Sequence, residues 1–81
     1  MHQIEVVKWI DAIGDGKGWE TKDNLDDEDY VVSSVGYVVK ETDKYLTLAM
    51  DLGPGDGQTN GRGRIPKGII ISRKVIAEEA T

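Results

Sequence analysis

With 81 residues and no cysteine, the chain makes one domain near the lower limit for independent folding, braced by neither disulfides nor thiolate-bound metals. Fifteen acidic residues against ten basic ones give a formal net charge of −5, which opposes non-specific binding to nucleic acid. One histidine, His2, cannot assemble a multi-histidine metal site within a chain.

The first apolar segment, Ile4 to Ile13, reads IEVVKWIDAI. Its β-branched content predicts a strand, with Ile4, Val6, Lys8 and Ile10 on one face and Glu5, Val7, Trp9 and Asp11 on the other. A helix is the rival reading, because Ile4, Val7 and Ile10 share a helical face. Gly14 to Asp29, GDGKGWETKDNLDDED, is polar and broken by Gly14, Gly16 and Gly18. A short helical turn is expected over Asp23 to Glu28, anchored by Leu25. Sixteen residues is long for a loop in so small a domain and points to a functional role.

Tyr30 to Thr42, YVVSSVGYVVKET, is predicted as the longest strand, with Gly36 at its centre permitting a bulge or sharp bend. The turn Glu41-Thr42-Asp43-Lys44 leads into YLTLAMDL. There Leu46, Leu48, Met50 and Leu52 alternate with Tyr45, Thr47, Ala49 and Asp51, which predicts a half-buried strand with the first set inward. Gly53 to Gly63 reads as a glycine-rich connection, Ile65-Pro66-Lys67-Gly68 as a tight turn, and Ile69 to Ile76 as the final strand. No apolar run approaches the ~18 residues of a membrane helix and no signal-peptide pattern opens the chain. A soluble, cytoplasmic, all-β domain over residues 1–81 is expected, its four or five strands suiting a small closed barrel better than an open sheet.

Enzymatic signatures are missing. There is no GxxxxGK followed by Ser or Thr, and GxGxG at Gly14 to Gly18 lacks the strand–loop–helix setting that holds phosphate. The acidic run Asp23, Asp26, Asp27, Glu28 and Asp29 lacks EF-hand spacing and reads as a solvated loop. Ser33, Ser34 and Ser72 lie within strands, with His2 the one histidine, so a Ser-His triad has little support. The expectation is a non-enzymatic protein with no cofactor and no metal. Arg62, Arg64, Lys67, Arg73 and Lys74 hold half of all basic residues within thirteen positions. They make either a solubilising face or an anion site built from Arg forks and the backbone near Gly61, Gly63 and Gly68. Trp9 reads as a core residue, and Trp19 as a candidate for stacking.

Gly36 to Lys67 resembles the Sm-like family of small RNA-binding barrels. The family's first motif has a glycine in a bent second strand, an aspartate at the turn, then an aromatic or basic residue, a hydrophobic residue and an asparagine. Gly36, Asp43, Tyr45, Leu46 and Thr47 stand at those places. Lys67-Gly68-Ile69-Ile70-Ile71 is similar to the second motif, a basic residue and glycine before the last strand. The chain departs from the family at Thr47, which replaces the asparagine, at Pro66, and in a glycine-to-aspartate spacing one residue longer. The wider pattern, with SVGYVV, LTLAM and IPKG, also resembles small bacteriophage proteins.

The resemblance implies a five-stranded SH3/Sm-like barrel with a strongly bent second strand. It implies subunits joined edge strand to edge strand in a homo-oligomeric ring, binding a nucleotide or short single-stranded RNA. Tyr45 would stack on a base while Lys67 and Gly68 line the pocket, with Asp43, Thr47, Arg62 and Arg64 completing the expected ligand-binding set. A phage counter-defence protein sequestering a nucleotide signal in the host cytoplasm would use the same residues. A structural or protein-interaction module would instead use the acidic loop.

Overall fold

The computed structural model describes residues 2–11, 30–55 and 57–79. The expectations for the polar segment, its acidic run and Trp19 lie outside them. Five strands follow in order: β1 (His2–Asp11), β2 (Tyr30–Glu41), β3 (Tyr45–Leu52), β4 (Thr59–Pro66) and β5 (Ile70–Glu79), with a 3-10 turn, Lys67–Ile69, before the last. They form one antiparallel sheet in the order β4-β3-β2-β1-β5. β4 and β5 are its two edges. They do not pair with each other, so the described sheet is open and the closure expected of a barrel is not made within it.

The helical alternative for the first segment is excluded, because β1 pairs with a strand on each side. Alternation then places Glu5, Val7 and Trp9 on the face that carries the core. Val7, Leu46, Leu48 and Ile65 are buried there, with Trp9, Val38, Ile69 and Ile70 packed against them. Leu46 is in register with Glu41 and Ile65, and Leu48 with Val38 and Gly63.

Five expectations are corrected. Met50 is 71% exposed instead of buried in the core. The glycine-rich connection contains the start of β4, and the last strand runs to Glu79 rather than Ile76. The turn expected at Ile65 to Gly68 is a 3-10 turn at Lys67–Ile69, with Ile65 and Pro66 still in β4. Gly36 is not the bulge and its φ is not positive. A Cβ there would lie 2.9 Å from the Ala49 carbonyl oxygen and 3.1 Å from Leu48 Cβ, so glycine is needed because β3 passes close by.

The irregularity of β2 lies further on. Val38 pairs with Leu48 but Lys40 pairs with Thr47, leaving Val39 as the extra residue of a β-bulge. β5 has two similar irregularities against β1, at Ile71 and Ile76. Bulges sharpen local twist.

Candidate functional site

The turn between β2 and β3 is built by Thr42. Its N–H donates to the Tyr45 carbonyl at 2.9 Å, while its hydroxyl accepts from the amides of Lys44 (3.3 Å) and Tyr45 (3.1 Å). Threonine suits this position because its short side chain can mimic a turn of backbone. The result fixes where β3 begins and where Tyr45 projects.

Across the sheet, Thr47 is in register with Lys40 on β2 and Arg64 on β4. The Val39 bulge produces this grouping. Without it Lys40 would follow Val38 in simple alternation onto the core face. The Arg64 guanidinium carbon lies 4.5 Å from the centroid of the Tyr45 ring, a cation–π contact. Lys40, Thr42, Tyr45, Thr47 and Arg64 enclose a cleft of about 200 Å³. Arg62 stands two residues before Arg64 and shares its face.

Residues 12–29 hold seven acidic and two basic side chains, which is the whole net charge of −5, and the rest of the chain has eight of each. Among the described residues, Lys40, Arg62 and Arg64 make no ion pair.

The core face carries a separate charged network. Arg73 on β5 forks onto Glu5, with Nε to Oε1 at 2.8 Å and Nη2 to Oε2 at 2.9 Å. It also donates to Glu41 at 2.9 and 3.0 Å, and Lys67 Nζ lies 2.6 Å from Glu41. Glu5 is only 2% exposed, and a bidentate guanidinium compensates such burial better than a lysine could. Hydrogen bonds from Arg73 and then Lys67 hold the Glu41 carboxyl down to about 2. The two carboxylates, Glu5 foremost, push the Arg73 guanidinium further toward its protonated form.

Of the residues expected to bind a ligand, Tyr45, Thr47 and Arg64 come together, with Arg62 beside them. Lys67 is instead engaged with Glu41. Asp43 and Gly68 do not line the cleft. Lys40 is the member that sequence reasoning missed, since only the bulge brings it to this face. A larger hollow of about 500 Å³ on the core side is lined mainly by Trp9, Leu48, Met50, Ile65, Pro66 and Ile69. Its Ser34 already accepts a hydrogen bond from Trp9 Nε1 at 3.0 Å, so it extends the apolar core more than it offers polar recognition.

Among the described residues no group of three or more His, Cys, Asp or Glu is placed to hold a metal ion, and no helix is long and apolar enough to cross a membrane. Comparison with protein-family models, curated proteins and solved structures returned no match.

Proposed function

We propose that the chain is a non-enzymatic Sm-like module that binds a nucleotide or short single-stranded RNA at the Tyr45–Arg64 cleft. The observation that carries this reading is the guanidinium of Arg64 stacked over Tyr45, with Lys40 and Thr47 in the same cleft. Aromatic rings and guanidinium planes are the two protein surfaces on which unpaired bases stack, at about 1–3 kcal/mol per base. Lys40 supplies a charge for phosphate, and the Thr47 hydroxyl can both donate and accept. Standing where the family motif has asparagine, that single hydroxyl reads a base edge less specifically than an amide would.

The Sm-like reading is supported by five antiparallel strands with an irregular second one. The one residue by which the Gly36-to-Asp43 spacing exceeds the family pattern has a counterpart in Val39, the extra residue of the bulge in β2. The two unpaired edges, β4 and β5, support association into a ring, because different edges meet head to tail.

Fluorescence anisotropy with labelled oligonucleotides and a nucleotide panel tests the site. Tyr45→Ala and Arg64→Ala should each weaken binding about tenfold, equivalent to about 1.4 kcal/mol, while Lys44→Ala outside the cleft should not. A steep loss of affinity with salt would indicate RNA and a shallow one a single nucleotide. Absence of binding to every probe by the unaltered protein would remove the proposal.

A further inference from the structure

A second hollow of about 300 Å³ adjoins the first. Lys40 and Thr47 line both, so the two share a wall. Beyond that shared wall, β4 contributes Arg62 and Thr59, and the β3–β4 hairpin contributes Gly53, Gly55 and Gly57. The Gly53 amide donates to the Gln58 carbonyl at 2.8 Å, closing the hairpin. Gly57 has φ +79, a conformation that glycine adopts without strain. Nothing lies within 4 Å of where a Cβ would sit on Gly55 or Gly57, so their backbone is open to close approach.

The ionisable groups of the described lining are Lys40, Arg62 and the imidazole of His2, with no acid; Asp56, between the glycines in sequence, is outside the described residues. Two acids on this face, Glu79 and Asp51, keep their charge but have neutral hydrogen-bond donors of their own. Glu79 accepts from the Tyr37 hydroxyl at 3.0 Å and Asp51 from Asn60 Nδ2 at 3.4 Å. Neither lines the hollow. Two cations with no ion-pair partner among the described residues, beside glycine backbone, form an environment suited to a compact, multiply charged anion.

Position then adds to charge. Arg62 and Arg64 are two residues apart on an extended strand, a rise of about 7 Å. A ribose interposes a similar separation between a base and its 5′-phosphates. We infer that the second hollow is a phosphate subsite and that the ligand is a nucleoside bearing a 5′-phosphate chain. Its base lies at Arg64 and Tyr45, and its phosphates lie at Lys40 and Arg62. The assignment rests on the stacking reading for the base, while the anion subsite has its own evidence.

Isothermal titration of the full chain distinguishes the two. The probes are the four ribonucleosides, their mono-, di- and triphosphates, inorganic triphosphate, and short oligonucleotides with a 5′-hydroxyl or a 5′-triphosphate. Affinity should rise with each phosphate, and inorganic triphosphate should bind alone. Arg62→Ala should cost about tenfold for the triphosphates and leave nucleoside binding unchanged. Tyr45→Ala should do the reverse, weakening nucleosides and sparing inorganic triphosphate. Equal affinity for nucleosides and their triphosphates overturns the phosphate subsite and leaves the stacking site standing. Triphosphate binding with no gain from any base overturns the stacking site. Preference for the 5′-triphosphate oligonucleotide over the free nucleotide identifies an RNA end as the source, and the opposite preference a free nucleotide.

Discussion

Leu48 and Met50 occupy successive inward positions of β3, yet Leu48 is 5% exposed and Met50 71%. The difference lies in their neighbours. Leu48 stands beside Val38 and joins the cluster with Val7, Leu46 and Ile65. Met50 lies over Gly61, where a Cβ would come within 2.9 Å of its side chain and where φ is +63, so the neighbouring strand provides backbone and no cover. Leu48→Ala is expected to cost about 2–4 kcal/mol, and Met50→Ala less than about 0.5 kcal/mol. Urea denaturation of the two variants measures this directly, and equal losses would contradict the burial. Alternation in YLTLAMDL was enough to sort side chains onto faces, but it carries no information on whether a partner covers them. Glu5 illustrates the same limit: a carboxylate in a strand reads as solvent-facing until Arg73, 68 positions away, is brought over it.

Among the elements, β5 is an edge strand held to β1 by its ladder and, through Arg73, to Glu41 on β2. The link to Glu41 is sensitive to pH. Because the folded-state pKa of Glu41 is depressed from 4.5 to about 2, its contribution is fully present above the ordinary carboxylate range and is lost as pH falls through about 2. Its side chain is 39% exposed, so the effect is modest. Glu41→Gln should therefore melt below the unaltered protein at pH 7, with the gap closing between pH 4.5 and 2. A gap constant down to pH 2 would show that the ion pairs contribute nothing. β3 was legible because its pattern has period two. β4 was not, because Gly61 and Gly63 occupy the inward positions that apolar side chains would otherwise mark. The grouping in the cleft was half legible for a related reason: Tyr45 and Thr47 were singled out by the Sm-like resemblance and Arg64 by the basic cluster, whereas Lys40 depends on a bulge that no local pattern announces.

The described residues span 54 × 21 × 20 Å, and the buried core among them comprises few side chains. β5 leaves Ile71, Val75 and Ile76 about half exposed beside an unpaired edge. Long edges with apolar side chains are ready templates for strand addition. If β4 of one subunit pairs with β5 of the next, both edges disappear and these side chains gain cover. Sedimentation should then give a multiple of 8.9 kDa, and the double variant Val75→Lys with Ile76→Lys should sediment as a monomer. A monomer from the unaltered protein at micromolar concentration would exclude the ring. The existence of a sheet was readable from valine and isoleucine content, but its order was not. The pairing of β1 with β5 joins the two ends of the chain, and local periodicity is silent on such distant partners.

The Val39 bulge has a consequence for how the chain tolerates insertions and deletions. Excising Val39 alone would leave Lys40 opposite Thr47 and Glu41 opposite Leu46, as they now stand, in an uninterrupted ladder. Ironing the bulge flat while keeping Val39 would push Lys40 against Leu46 in the core and turn Glu41 toward Tyr45, cancelling the charge of Arg64 in the cleft. Loss of one codon here should thus preserve both the circular dichroism spectrum and ligand affinity. The strand is one residue longer than its pairing requires, and the cleft stays basic because that surplus is looped out.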